Sequence, residues 1–293
     1  MKIPGMVIAN YRFINYIDEF DLERAEFLLI EEENRKKFEN FLSERKIPFS
    51  AHAPVFIPET HPDRTGLLSC IVDADGERRE KSIDMMLVTL KEAARLGAEY
   101  VVVHAQRPEN FGGENTAGFD QKQALDSAKR SCEVLSSKSI EYSVPVYIEN
   151  LFRNRSFYSP ESFNNLLESF PEMGFCLDVG HLAVDSRELD FPFDEFVDAV
   201  LPSIKAIHLQ NANPDYDNGM NRPWKIPVHP SQRKEDGWCD IEGLLGKVLK
   251  YNPDCTVNFE SRTNVPEERR MLIEGIEWIK ELIPSILDEV MLH

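Results

Sequence analysis

Short apolar runs alternate along the chain with longer segments whose apolar positions recur at helical spacing. Eight of the short runs have the length and the β-branched content that are typical of buried strands. They are MVIA (6–9), EFLLI (26–30), FSAH (49–52), YVVVH (100–104), VPVYIE (144–149), GFCLD (174–178), IKAIHL (204–209) and TVNFE (256–260). The pattern therefore predicts an α/β protein in which strands and helices take turns.

Amphipathic segments between and after these runs predict the helices. They are 32–46, 82–97, 120–139, 159–170, 194–201, 240–251 and 266–283. Two segments carry terminal signals as well. Ser159 and Pro160 suit the first residues of a helix, and Gly97 suits a C-terminal cap.

Eight strands with interleaved helices in 293 residues predict one (β/α)8 TIM barrel that spans residues 1–293. A doubly wound open sheet is the alternative. The chain has neither of the glycine-rich phosphate loops that usually accompany such a sheet. Three long connections, 53–81, 105–119 and 210–238, each follow a strand. In a barrel they are expected at the catalytic face.

Composition narrows the class of protein further. Lys and Arg number 33 against 51 Asp and Glu, which gives a formal net charge of −18. So acidic a surface disfavours nucleic acid and anionic lipid as partners. The five cysteines form no CxxC pair, which fits a reducing compartment. Neither a secretory leader nor an apolar run of membrane-spanning length is recognisable, so we expect a cytoplasmic enzyme or binding protein.

Most of the predicted strands end in side chains that bind metal ions. Six of these residues lie at or next to a strand end: His52, His104, Glu149, Asp178, His208 and Glu260. His181 and His229 follow in the loops after the sixth and seventh strands. Any one of them alone suits an ordinary strand end or a turn anchor. In a parallel barrel, however, all the strand ends meet at one mouth.

Three carboxylates brought together at that mouth would repel one another. A divalent cation removes this repulsion, and imidazoles are its natural further ligands. The sequence therefore predicts a metal site at the C-terminal mouth of the barrel.

At these residues the chain resembles the xylose isomerase-like TIM-barrel superfamily, which includes sugar isomerases and epimerases and endonuclease IV. The resemblance extends from HAP at 52–54 to FES at 259–261. The epimerase-like pattern implies one metal ion and places His181 against the substrate. The metal ligands that this pattern implies are Glu149, Asp178, His208 and Glu260.

The endonuclease IV pattern implies three zinc ions. A first would bind His52, His104 and Glu149, and a second the four ligands of the epimerase-like pattern. A third would bind His181 and an Asp-x-His pair whose histidine is His229. Pro227 stands where the aspartate of that pair is expected, and HAPVFIP lacks the aromatic residue expected after the first histidine. Both departures disfavour an abasic-site endonuclease.

Two reactions and one inactive alternative remain. The first is a divalent-metal-dependent isomerase or epimerase that acts on a small sugar, polyol or sugar phosphate through an enediolate. Glu149 and Glu260 would move the proton, and His181 would hydrogen-bond the substrate. Arg222 and Lys225 would hold an anionic group, unless they are simply solvated charges.

The second reaction is hydrolysis of a phosphoester by two or three zinc ions, in which a metal-activated hydroxide attacks phosphorus. The third possibility is a barrel that binds a metal ion without catalysing a reaction. The resemblance implies zinc or manganese, in one to three copies. These alternatives differ in the number of ions that the strand-end residues hold.

Overall fold

Eight parallel strands close into a barrel in which each strand pairs with the next along the chain. The structure is a computed structural model that describes residues 4–57, 69–106, 119–213, 215–216, 224–261 and 266–291. The last strand closes the ring on the first, with Gly5 opposite Asn258 and Met6 opposite Phe259. The predicted (β/α)8 fold is confirmed.

All eight predicted strands are present. Their bounds are β1 Gly5–Ala9, β2 Ala25–Leu28, β3 Phe49–His52, β4 Val101–His104, β5 Val146–Glu149, β6 Gly174–Asp178, β7 Ile204–Leu209 and β8 Thr256–Phe259. The third, sixth and seventh have the limits that the apolar runs predicted. The C-terminal ends were predicted better than the starts, because a metal-competent side chain marks most of them.

The α-helices of the described residues lie outside the ring of strands. Their bounds are α1 Tyr16–Glu19, α2 Arg35–Arg45, α3 Gly76–Leu96, α4 Gln121–Tyr142, α5 Pro160–Ser169, α6 Val179–Glu188, α7 Phe193–Val200, α8 Ile241–Tyr251 and α9 Pro266–Met291. None of those within the described ranges has the length and apolar content that crossing a membrane requires. Ser159 caps α5, and Gly97 ends α3 in a left-handed conformation, as predicted.

Helix α6 corrects the sequence analysis, which placed His181 in a loop. Asp178 is both the last residue of β6 and the N-cap of α6, and its Oδ1 accepts a hydrogen bond from the His181 backbone N–H at 2.7 Å. The strand therefore passes into the helix without a connecting loop. This direct transition fixes His181 in the first turn of a helix.

The two faces of β2 show how the barrel is packed. Phe27 points outward, where its ring lies 4.9 Å from Phe38 of α2 and 5.9 Å from Phe49 of β3. Its neighbour Glu26 is fully buried and hydrogen-bonded to Ser50 on β3. Large apolar side chains thus fill the layer between strands and helices, whereas polar side chains occupy part of the barrel interior.

We expect Gly275 to be essential for the packing of α9. A Cβ at this position would overlap the carbonyl oxygen of Val228. Gly275→Ala should lower the free energy of unfolding by about 1–3 kcal/mol, because the added Cβ would force the backbone of Val228 or of α9 to move. Gly246→Ala in α8 is the matched control, since its Cβ meets no atom within 4 Å. It should raise stability by about 0.5–1 kcal/mol. Urea unfolding measures both variants, and equal stability of the two would contradict this packing.

Candidate metal centre

The barrel brings together all six strand-end residues that the sequence analysis selected. His52, His104, Glu149 and Asp178 are the last residues of β3 to β6. His208 is the penultimate residue of β7, and Glu260 directly follows β8. Five of the six are buried, and the Glu260 side chain is 18% exposed. They form two groups. Within each group, the ligand atoms lie within 4.8 Å of one another.

The three-residue group consists of His52, His104 and Glu149. Oε2 of Glu149 lies 2.9 Å from Nε2 of His52 and 3.4 Å from Nε2 of His104. The two imidazole rings meet edge to face, with centroids 4.7 Å apart. Two ring nitrogens and one carboxylate oxygen therefore face a common point.

The four-residue group consists of Glu149, Asp178, His208 and Glu260. Nδ1 of His208 lies 3.3 Å from Oε1 of Glu149 and 3.2 Å from Oε2 of Glu260. Glu149 belongs to both groups, with Oε2 directed to the first and Oε1 to the second. Its carboxylate can therefore bridge two adjacent ions.

The donors of the four-residue group fit a divalent cation. Nε2 of His208 lies 2.7 Å from Oε1 of Glu26, so this nitrogen carries the shared proton. Among the described residues, Nδ1 of His208 and Oε2 of Glu260 are buried without a hydrogen-bond partner. Buried polar atoms rarely stay unpaired. One imidazole nitrogen and three carboxylates form a donor set that suits zinc or manganese.

Electrostatics in the barrel mouth favour a cation as well. Burial raises the pKa of Asp178 to about 7, above the usual value of 3.8. Burial also lowers the pKa of His104 to about 3, which keeps this imidazole neutral and able to ligate. Burial opposes ionisation of Glu149 too, yet His208 and a hydrogen bond from His181 hold its pKa well below the usual value. Among the residues that the structure describes, imidazoles and Lys225 are the groups that face these carboxylates.

Asp178 is held rigidly at the mouth. Besides capping α6 through Oδ1, it accepts a hydrogen bond from Nε2 of Gln210 on Oδ2 at 2.6 Å. Its backbone N–H donates to Oδ1 of Asn150 at 2.9 Å. Neither Gln210 nor Asn150 was identified from the sequence, because uncharged amides next to strand ends carry no distinctive pattern.

His181 lies at the edge of the four-residue group. Its Nδ1 is 3.3 Å from Oδ2 of Asp178 and 3.6 Å from Oε1 of Glu149. The ring stacks on Phe152 at 4.7 Å, and Phe152 in turn packs against Trp224. His181 is therefore inside the site, next to an aromatic wall.

His229 lies apart from both groups. Its Nε2 is 2.6 Å from Oε2 of Glu274 on α9, and its Nδ1 is 2.8 Å from Oγ of Ser231. Because both ring nitrogens face protein partners, His229 offers none to a metal ion. The third zinc site implied by the endonuclease IV pattern is therefore not assembled by the described residues.

Of the two predicted substrate-binding cations, Lys225 lies at the mouth and Arg222 lies outside the described residues. The Lys225 ammonium forms an ion pair with Oε1 of Glu260. Its backbone has a φ of 60°, a strained value for a residue with a side chain. The N–H of Lys225 donates to Oε1 of Gln210 at 2.6 Å. Gln210 thus links Lys225 to Asp178.

A buried carboxyl group behind His181 makes stability depend on pH. Oδ1 of Asp185 on α6 accepts the Arg153 N–H at 2.6 Å, and burial raises the pKa of Asp185 to about 7 from 3.8. Between these two values the native state keeps a proton that the unfolded chain releases, so stability falls as pH rises through this window.

Asp185→Asn should remove this dependence. From pH 5 to pH 8 the variant should gain roughly 2 kcal/mol of unfolding free energy relative to the wild type, because one pKa unit corresponds to about 1.4 kcal/mol. Urea unfolding at the two pH values measures the difference. If the unfolding free energies of the variant and the wild type differed by the same amount at pH 5 and at pH 8, Asp185 would already be ionised in the native state at pH 5.

Comparisons with known proteins agree with this architecture. A model of the family described as "Xylose isomerase-like TIM barrel" matches residues 9–282. A protein of Haloarcula marismortui named "Probable endonuclease 4" is 28% identical over 172 residues, which cover 54% of this chain and 56% of that protein. The chain spans about half the length of the curated relatives it matches.

Solved structures extend the similarity over the whole chain. A D-tagatose 3-epimerase-like protein superposes with a TM-score of 0.68 at 18% identity, covering 99% of this chain and 100% of that one. A xylose isomerase-like TIM barrel protein from Mycobacterium smegmatis, crystallised with magnesium, superposes with a TM-score of 0.68 at 14% identity, covering 97% and 98%. At such identities these likenesses show the fold. Because the family model matches residues 9–282, nearly the full length of this chain, the chain belongs to the xylose isomerase-like TIM barrel family.

Proposed function

We propose that this protein is a divalent-metal-dependent isomerase or epimerase that acts on a small sugar, polyol or sugar phosphate. The observation that carries the proposal is the four-residue group, in which Glu149 from β5 and Glu260 after β8 approach the same nitrogen of His208. Two carboxylates on different sides of one small site suit the removal of a proton from a substrate carbon and its return.

A divalent ion held by these ligands would polarise a substrate carbonyl and the adjacent hydroxyl as a Lewis acid. One glutamate takes the proton from the carbon next to the carbonyl, and the electron pair of that C–H bond forms the enediolate. The other glutamate, after taking up a proton from solvent, gives it to carbon as the carbonyl forms again, and the first glutamate releases its proton to solvent. Which glutamate acts first depends on the substrate face that the mouth accepts.

The surroundings of the two glutamates support these roles. Burial opposes ionisation of Glu260, but Lys225 and His208 hold its pKa well below the usual value, so its carboxylate is ionised in the resting site. His181, next to Glu149, is placed to hydrogen-bond the substrate oxygen that gains charge. Trp224, which is half-buried beside Phe152, would supply an aromatic surface next to His181.

The fold comparisons and the net charge favour the same class of substrate. A D-tagatose 3-epimerase-like protein shares the barrel over its whole length. The formal charge of −18 works against association with nucleic acid. A small sugar needs no extended basic surface, so this charge is compatible with its binding.

Hydrolysis of a phosphoester is the second candidate, and the three-residue group favours it. His52, His104 and Glu149 offer a second ion a place beside the first, and a pair of ions bridged by a carboxylate is common in phosphoesterases. The contact between His229 and Glu274 argues against a site with three zinc ions.

Glu149→Ala should abolish both metal binding and turnover, since this residue belongs to both groups. We expect the metal content after gel filtration to fall below one tenth of the wild-type value, and the rate to fall about 10²–10⁴-fold. The rate is measured by NMR as incorporation of solvent deuterium into a panel of keto-sugars, aldo-sugars and their phosphates. Glu274→Ala is the control, because this half-exposed carboxylate lies outside both groups. It should keep wild-type metal content and turnover.

Two results would overturn this assignment. Wild-type metal content and turnover in Glu149→Ala would remove Glu149 from the site. Nicking of an abasic-site duplex by the wild type that is lost in Glu260→Gln, without deuterium incorporation into any sugar, would instead establish the hydrolase.

A further inference from the structure

A second carboxylate, Glu26, stands behind His208 on the side away from the metal ligands. It lies in the middle of β2 and is fully buried. Its Oε1 lies 2.7 Å from Nε2 of His208, whereas Nδ1 of His208 faces Glu149 and Glu260. The imidazole of His208 thus lies between Glu26 and the three carboxylates of the four-residue group.

Every contact of Glu26 requires it to be an acceptor. Its Oε2 receives a hydrogen bond from Oγ of Ser50 at 2.8 Å and another from Nδ2 of Asn258 at 3.3 Å. Asn258 also donates from Nδ2 to the hydroxyl of Tyr100 at 3.1 Å, which orients its amide. With Oε2 saturated by donors, Oε1 is left to accept the proton on Nε2 of His208.

This contact determines which nitrogen of His208 is available to a ligand. A neutral imidazole carries one proton, and the nitrogen without it has the lone pair that binds a metal ion. When His208 is neutral, as a metal ligand must be, a proton donated from Nε2 to Glu26 leaves the lone pair at Nδ1. Nδ1 is the atom that lies between the carboxylates of Glu149 and Glu260.

The fold places Glu26 behind His208 at a substantial energetic cost. Among the described residues its one ion-pair partner is His208, and a buried carboxylate without a cationic partner destabilises the folded state unless hydrogen bonds compensate it. A carboxylate at this place is explained by what it does to His208.

We propose that Glu26 is a positioning residue that fixes the tautomer and ring orientation of His208, and thereby makes the four-residue group a strong site for a divalent cation. Hydrogen bonds from a ligating histidine to an outer carboxylate typically change metal affinity 10–100-fold. Glu26 contacts neither the three-residue group nor the space in front of the ligands. It hydrogen-bonds His208 and acts on His52 through its charge alone, so its effect should be larger at the four-residue group than at the three-residue group.

The experiment measures the affinity of each group for Co²⁺, by visible absorption and competition with a chelator, in two backgrounds. His104→Ala leaves the four-residue group intact, and Glu260→Ala leaves the three-residue group intact. Adding Glu26→Gln should weaken Co²⁺ binding 10–100-fold in the first background and less than twofold in the second. Asp185→Asn, another buried carboxyl-to-amide change, is the matched control and should change neither affinity.

Equal weakening of both groups by Glu26→Gln would overturn the proposal, because it would show that Glu26 supports the barrel as a whole. Unchanged affinity in both backgrounds would overturn it too. Because this inference rests on the proposed metal site, a wild-type protein that binds no Co²⁺ would overturn both. Equal weakening of both groups, or unchanged affinity in both backgrounds, would leave the proposed function in place.

A second measurement needs no variant and so does not depend on how Glu26→Gln folds. In zinc-loaded wild-type protein containing ¹⁵N-histidine, NMR should show His208 with its proton on Nε2 and its metal-ligating nitrogen at Nδ1. The opposite tautomer would overturn the proposal.

Discussion

Glu149 belongs to both groups of candidate metal ligands, and the organisation of the site depends on this one buried carboxylate. Its Oε2 faces His52 and His104, and its Oε1 faces His208. Burial alone would disfavour the charge of Glu149, so the surrounding imidazoles are what make an ionised carboxylate tolerable at the barrel mouth. A divalent cation would complete this compensation.

The closed ring of parallel strands makes this arrangement possible. Residues of β3, β4, β5, β6 and β7 that are far apart in sequence become neighbours because every strand ends at the same mouth. Behind them, Glu26 and Gln210 hydrogen-bond His208 and Asp178. The same chain therefore supplies the ligands from strand ends and their support from the barrel interior and the segment after β7.

The candidate ligands could be predicted from the sequence because each one lies at or next to the end of a short apolar run. Their outer partners could not. Glu26 was placed at the start of the run EFLLI, where a polar residue is unremarkable. In the structure it is the second residue of β2, and its register opposite Ser50 directs it into the barrel. Register depends on pairing with the neighbouring strand, which is not encoded in the run itself.

The two misplaced histidines have different physical causes. His181 was assigned to a loop because Asp178 ends β6 and caps α6 at once, which leaves no polar segment to mark the transition. His229 was grouped with the ligands because the sequence does not show that Glu274, 45 residues later, would meet its imidazole. Local pattern thus selected the candidate ligands, whereas long-range contacts decide which histidines face protein partners instead.

Anomalous diffraction at the zinc edge, on crystals grown from zinc-loaded protein, tests the central claim most directly. The four-residue group predicts a strong peak within bonding distance of Glu149, Asp178, His208 and Glu260, with Nδ1 of His208 as the ligating atom. A second, weaker peak at His52 and His104 would remain compatible with the shared carboxylate. Peaks only at other places, such as His229 and Glu274, would contradict the account.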